Sequence, residues 1–173
     1  MFPENIQIET TTLCSNGCIM CPYKFVSRPK FMPMRLIDKI IDECSGKNVT
    51  IIPHQMGDPL SNDRIINILK KCKDKKLEIL MSASGLLLEK EKASESVNIG
   101  VDIINISLDS LNKEIYEKIR NISFNKIMKN IRDLLSLKKH RLKYGFRLLI
   151  FSSIKLQEMN LLIIGNRGLI MYR

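Results

Sequence analysis

Segments with the character of β-strands alternate with amphipathic helical segments along the whole 173-residue chain. The strand-like segments are short, apolar and rich in β-branched residues, and they lie at residues 6–12, 49–53, 77–82, 101–108, 143–151 and 168–172. Helical periodicity occurs at residues 34–44, 64–72, 86–96, 115–120, 124–138 and 157–164. This alternation predicts parallel strands that are joined by right-handed helical crossovers.

Two α/β architectures satisfy this pattern, a βα barrel and a doubly wound open sheet. Six strands are too few for a complete eight-stranded barrel, which typically needs about 250 residues. The last strand has no helix after it, so we expect a partial barrel of six βα units, truncated near the sixth strand. No linker or repeat divides residues 1–173, which we interpret as one domain. In both architectures the functional residues follow the strands.

The composition is that of a globular protein, with 45% hydrophobic and 27% charged residues. The longest apolar runs, at residues 148–151 and 161–164, are far shorter than the roughly 20 residues of a membrane-spanning helix. The N-terminus shows neither the basic start nor the apolar stretch of a secretory signal. These features predict a cytoplasmic protein with no membrane partner.

The net charge of +10 is concentrated in one region of the chain. Residues 113–147 carry 11 basic and 3 acidic side chains, whereas residues 1–112 carry 14 of each. A basic patch of this kind can attract RNA. Few aromatic residues interleave with the charges, which favours a solvated helix face over a stacking platform for nucleic acid.

Three of the five cysteines lie within eight residues, directly after the first predicted strand. Cys14, Cys18 and Cys21 have the spacing Cys-x3-Cys-x2-Cys, which lets one short loop present three thiolates to an iron–sulfur cluster. Two alternatives remain open: the cysteines could share a buried helical face, or they could form a zinc site together with His54. The other two cysteines, at positions 44 and 72, fall on amphipathic helices and are predicted to be core residues.

The cysteine loop and three further segments together resemble the radical SAM superfamily over roughly residues 4–160. The further segments are HQMGDPLSN at 54–62, MSASGLLL at 81–88 and INISLDS at 104–110, and each follows or ends a predicted strand. The resemblance implies a radical-SAM-type partial barrel. It also implies a [4Fe-4S] cluster on the three cysteines, with one open iron that binds the amino and carboxylate groups of S-adenosylmethionine (SAM).

The same resemblance assigns SAM-contacting positions in the three further segments. Gly57, Asp58 and Pro59 are similar to the end of the family's Gly-Gly-Glu-Pro segment, with an aspartate in place of the glutamate. Ser84 stands where the family has the asparagine of Thr-Asn-Gly. In a strand end similar to the family's Ser-x-Asp, the matching pair is Ser107 and Asp109. The residue-level alternatives are an ordinary turn at residues 57–60, a helix-entry turn at Ser84, and a helix cap at Asp109 or Ser110.

For activity, the resemblance implies reductive cleavage of SAM to a 5′-deoxyadenosyl radical that removes hydrogen from a substrate. No general acid or base is required for this step, so we assign no catalytic residue. An electron donor such as flavodoxin or ferredoxin is implied as a partner. The competing hypotheses are a basic RNA-binding module with a structural zinc, and a truncated core fragment that keeps the cluster loop but has no activity.

The segments CIMCPY and GDPL look most like family members that carry a C-terminal domain with auxiliary clusters, many of which modify peptides or proteins. No cysteine follows Cys72, so we expect that domain to be absent from this chain. Residues 152–173 match the family poorly. Without that domain the substrate stays undefined, and the candidates are a peptide or protein, with RNA as the alternative.

Overall fold

A computed structural model describes residues 1–141, 147–151, 161–165 and 168–172, with side chains described as far as residue 137. The strands are β1 (Asn5–Gln7), β2 (Thr50–Ile52), β3 (Glu78–Ala83), β4 (Ile103–Ser107), β5 (Arg147–Phe151), β6 (Leu161–Gly165) and β7 (Gly168–Tyr172). The α-helices are α1 (Met34–Cys44), α2 (Ile65–Asp74), α3 (Lys90–Ile99), α4 (Lys113–Arg120) and α5 (Phe124–Arg141). Short 3-10 turns lie at Pro22–Phe25 and Pro59–Ser61.

All strands belong to one sheet, in the order β1-β2-β3-β4-β5-β6-β7. The first five are parallel to their neighbours. Because each crossover moves to the adjacent strand and such crossovers are right-handed, the helices are all wound onto one face of the sheet. A doubly wound sheet would reverse its strand order part-way. The predicted α/β fold, a partial barrel, is therefore confirmed.

The C-terminal strands differ from the six-unit prediction. The helix predicted over residues 157–164 is wrong for residues 161–164, which belong to β6, and its first residues lie outside the described part of the chain. Strand β6 runs antiparallel to β5, and β7 runs antiparallel to β6, with Gly165 opposite Gly168. A run of four large apolar residues is compatible with a helix or a strand. Here the run forms a strand that pairs with β5.

The first strand is shorter than the predicted span of residues 6–12. After β1, Thr10 and Thr12 exchange backbone hydrogen bonds with an extended segment at residues 30–32 rather than with the sheet: Thr12 N–H donates to the Lys30 carbonyl at 2.9 Å, and the Thr10 carbonyl accepts from Met32 N–H at 3.1 Å. The chain therefore leaves the sheet before it reaches the cysteines.

The hydrophobic core fills the space between the helices and the outward face of the sheet. Alternation along β3 buries Ile79, Met81 and Ala83, while the intervening side chains face the inside of the partial barrel. Cys44 and Cys72 lie in the core, as predicted, and burial raises the pKa of Cys72 to about 12. No helix within the described residues combines the length and the apolar character needed to cross a bilayer.

Candidate functional site

A cleft of about 450 Å³ opens at the carboxyl ends of β1 to β4. Parallel strands direct their following loops to one edge of the sheet, and this edge is where α/β proteins place their sites. Most of the residues predicted for the site line this cleft: Cys14, Cys18, Cys21, Gly57, Asp58, Ser84 and Ser107. The structure thus brings together side chains from four separate loops.

The three cysteines are free thiols of intermediate burial in the loop that follows β1. The backbone N–H of Cys14 donates to the Tyr23 hydroxyl at 3.1 Å, and that of Cys21 donates to the Cys18 carbonyl at 3.1 Å. These bonds hold the loop so that all three thiols line the same cleft. A single loop of soft donors facing one open space fits an iron–sulfur cluster with one iron left open.

A zinc site has no support among the described residues. No three His, Cys, Asp or Glu side chains there are arranged to hold a single metal ion. A zinc ion would need the three thiols and His54 to converge on one point, whereas a cluster places each ligand on a different iron atom.

Burial raises the pKa of two of the cleft thiols, Cys14 and Cys18, and nearby negative groups raise it further. For Cys18 the guanidinium of Arg120 opposes this shift. Both groups are therefore protonated at neutral pH when no metal is bound, and ligation would release their protons, because the ligand is the thiolate.

Gly57 lies where the loop after β2 touches the segment before the cysteines. A Cβ at this position would overlap the Thr11 carbonyl oxygen and lie 2.8 Å from the Leu13 carbonyl oxygen. The next residue, Asp58, donates its N–H to the Leu13 carbonyl at 2.8 Å. Both contacts involve backbone atoms, so only glycine allows the two loops to lie this close.

A residue that the sequence analysis missed, Glu9, holds the loop after β2. Its carboxylate accepts backbone N–H bonds from Gln55 at 3.3 Å, Met56 at 2.7 Å and Gly57 at 3.2 Å. Because three successive N–H groups point at one carboxylate, the peptide groups of this loop, including their carbonyls, are held in fixed orientations. In the sequence Glu9 stands in the middle of the first predicted strand, and nothing there links it to residues 55–57.

Asp58 and Ser84 were predicted as separate SAM contacts, but they also bind one another. Asp58 Oδ2 accepts from the Ser84 hydroxyl at 2.6 Å and from its backbone N–H at 3.1 Å, while Oδ1 accepts from Leu60 N–H at 3.0 Å. Both side chains are buried and line the cleft. The pair ties the loop after β2 to the loop after β3.

The remaining predicted residues occupy different places. Ser107, at the end of β4, lines the cleft. Pro59 is buried and starts a 3-10 turn, outside the lining of the cleft. Asp109 is also outside the lining, and its buried carboxylate pairs with Arg120.

Arg120 is a second residue that sequence reasoning missed, although it ends the helix predicted at residues 115–120. It is the last residue of α4 and lines the cleft. Its Nε and Nη2 donate to the Asp109 carboxylate, the latter at 3.1 Å, and its Nη1 lies 3.7 Å from Cys18 Sγ. Nothing in the local pattern pairs residues 18 and 120.

Polar side chains continue from the cleft into the inside of the partial barrel. His54 Nδ1 accepts from Ser82 N–H at 3.4 Å, and burial lowers the pKa of this imidazole, so it is neutral at pH 7. Asn105 donates to the Ser82 hydroxyl at 3.1 Å. These uncharged groups give the cleft a polar floor.

The sequence matches the Radical SAM superfamily over residues 8–153, a span that includes every residue lining the cleft. The chain belongs to the radical SAM superfamily. This is a superfamily of enzymes that use a [4Fe-4S] cluster and SAM, and the cysteine loop fits that cluster.

Related proteins include GTP 3′,8-cyclases. The chain is 26% identical over 145 residues to the GTP 3′,8-cyclase of Desulforamulus reducens, covering 80% of this chain and 44% of that protein. It is 26% identical over 121 residues to a probable GTP 3′,8-cyclase of Thermococcus kodakarensis, covering 68% and 39%. The chain therefore spans less than half the length of these relatives.

Among solved structures, SuiB of Streptococcus suis bound to SAM superposes with a TM-score of 0.74 at 16% identity. The similarity covers 91% of this chain and 35% of SuiB. At this level of identity the likeness concerns the fold, and it supports the partial barrel described above.

Proposed function

We propose that this chain is the core of a radical SAM enzyme that cleaves SAM reductively and uses the resulting radical to remove hydrogen from a substrate. The observation that carries the proposal is the single cleft shared by Cys14, Cys18, Cys21 and the loops after β2, β3 and β4. In this proposal residues 1–173 form one core domain. When bound, the cluster would supply one electron to the sulfonium of SAM, and SAM would split into methionine and a 5′-deoxyadenosyl radical.

The residues of the chain have separate tasks in this proposal. The three thiolates hold the cluster on one side of the cleft. Gly57 allows the loop after β2 to reach the cysteine segment, so that its carbonyls and Asp58 face the methionyl ammonium. Ser84 and Ser107 offer hydroxyls to the polar parts of SAM. Asp109 acts through Arg120, because its carboxylate is engaged by that guanidinium.

The first experiment reconstitutes the protein anaerobically and measures iron, sulfide and 5′-deoxyadenosine after reduction with dithionite. Wild-type protein should hold four irons per chain and release 5′-deoxyadenosine. Cys18→Ala should lose both. The matched control is Cys44→Ala, which removes a core cysteine outside the cleft and should keep both. Folded wild-type protein that forms no iron–sulfur cluster would contradict the proposal.

For the substrate we propose a peptide or protein, on the resemblance of the cysteine and Gly-Asp-Pro segments to peptide-modifying members of the family. The alternative is a nucleotide, because the related proteins include GTP 3′,8-cyclases. Release of 5′-deoxyadenosine in the presence and absence of GTP separates the two. Stimulation by GTP, with hydrogen from GTP recovered in 5′-deoxyadenosine, would refute the peptide assignment.

We further propose that the protein works in the cytoplasm with a low-potential electron donor of the flavodoxin or ferredoxin type. A reducing compartment keeps the free thiols available for the cluster. Replacing dithionite by reduced flavodoxin in the cleavage assay tests the donor, and no product with either flavodoxin or ferredoxin would contradict it.

A further inference from the structure

The end of helix α4 is attached to the cysteine loop at more than one point. Ile19 N–H donates to the Ile119 carbonyl at 2.9 Å, and the Cys18 thiol lies 3.8 Å from the Arg120 carbonyl. Arg120 Nη1 approaches the same sulfur at 3.7 Å. A cation is therefore placed beside one of the three cluster ligands by the fold itself.

This cation is held firmly and out of solvent. The Arg120 side chain is 14% exposed and that of Asp109 is 0% exposed, so salt screens their pairing only weakly. Two guanidinium nitrogens are used by the carboxylate, and the third is directed at Cys18. Asp109 thereby selects the orientation in which an N–H points at the sulfur.

Ligation changes what Cys18 can accept and donate. A free thiol can donate its S–H to the Arg120 carbonyl, but a ligating thiolate has no proton and can only accept. Once Cys18 binds iron, the Arg120 guanidinium is the donor already in place. The contact between Arg120 Nη1 and the Cys18 sulfur is therefore a stronger hydrogen bond in the cluster-bound protein than in the free thiol form.

We propose that the guanidinium of Arg120, held in place by Asp109, raises the reduction potential of the cluster through its contact with Cys18. The inference rests on the proposed function, since it needs a cluster on the cysteine loop. Reduction adds one electron from a donor such as dithionite, takes [4Fe-4S]2+ to [4Fe-4S]+, oxidises the donor by one electron and transfers no atom. The added negative charge is stabilised by a nearby cation and by an N–H bond to a ligand sulfur.

The test is a redox titration of the reconstituted protein without SAM, followed by the EPR signal of the reduced cluster. Arg120→Gln removes the charge and should lower the ratio of reduced to oxidised cluster at a fixed potential by at least tenfold. For one electron this corresponds to a shift of about 59 mV to more negative potential. Arg120→Lys retains a cation, so its shift in potential should be less than half of the shift in Arg120→Gln.

The matched control is Lys118→Gln, which removes the same charge from an exposed position of the same helix. It should leave the potential unchanged, because the charge there faces water. An unchanged potential in Arg120→Gln, or an equal shift in Lys118→Gln, would overturn the proposal.

A second variant covers the case in which Arg120→Gln does not load iron. Asp109→Asn keeps a hydrogen-bond acceptor for the guanidinium but removes the buried negative charge that neutralises it, so the potential should rise. An unchanged potential in this variant would overturn the proposal. If wild-type protein forms no cluster, the proposed function itself fails, whereas a loaded cluster with unaffected potentials refutes the tuning role alone.

Discussion

Replacement of Gly57 by alanine tests the packing between the cysteine segment and the loop after β2. The added Cβ would meet the carbonyl oxygens of Thr11 and Leu13, which are backbone atoms that cannot rotate away. Relief requires the loop to move, which breaks the bond from Asp58 N–H to the Leu13 carbonyl. Overpacking costs about 1–3 kcal/mol and a lost hydrogen bond about 1 kcal/mol, so we expect a loss of about 2–4 kcal/mol.

In a chain of this size that loss lowers the melting temperature by about 5–15 °C. Thermal unfolding of the apo protein under anaerobic conditions measures it, and calorimetric titration of reconstituted protein measures SAM affinity. We expect affinity to fall by more than tenfold, because the displaced loop carries the residues proposed to face the methionyl ammonium.

The control is Gly46→Ala, which changes a glycine with no atom near its would-be Cβ but with a φ of +74°. Alanine in this left-handed conformation costs about 1–2 kcal/mol of stability, and it should leave SAM affinity unchanged because Gly46 is remote from the cleft. If Gly57→Ala retains wild-type melting temperature and affinity, the steric reasoning is wrong.

Three further predictions concern the same site. Glu9→Gln removes the anion that accepts three N–H bonds from the loop after β2, so calorimetry should show SAM affinity at least tenfold weaker. The control Glu78→Gln, at the exposed first residue of β3, should have no effect on this affinity. Burial lowers the pKa of His54, so the unfolded chain takes up the proton first and stability is lost as the pH falls below about 6.5. Urea unfolding at pH 7.5 and 5.5 should therefore show a smaller loss of stability in His54→Gln than in wild-type protein. Equal losses would contradict this prediction. Alkylation of native apo protein should modify the half-buried cysteines and spare the two core ones, and mass spectrometry showing five modified cysteines would refute that assignment.

Much of the fold was predictable because its determinants are local. Helix α1 spans residues 34–44 as predicted from spacing alone, and the strands β2, β3 and β4 fall inside or within one residue of their predicted segments. Residues 161–164 were misassigned because their uniform apolar character carries no period. There, pairing with β5 and β7 decided the structure.

The site was predictable to the extent that it follows strand ends. Cysteine spacing and the positions of Gly57, Ser84 and Ser107 all pointed to the edge where the cleft lies. Asp109 was predicted for the same reason, yet its carboxylate is engaged by Arg120. A position at a strand end predicts which edge a side chain lies on, but not which neighbour takes its hydrogen bonds.

Local periodicity and motif spacing determined the α/β class, the core cysteines and the loop that fits a cluster, since these depend on residues only a few positions apart. Tertiary structure alone decided which distant groups meet. Asp58 binds Ser84 across 26 positions, Glu9 holds Met56 across 47, and Arg120 reaches Cys18 across 102. The physical reason is that the order and register of the parallel strands place these loops side by side. Neither strand order nor register can be predicted from the residue pattern of a single segment.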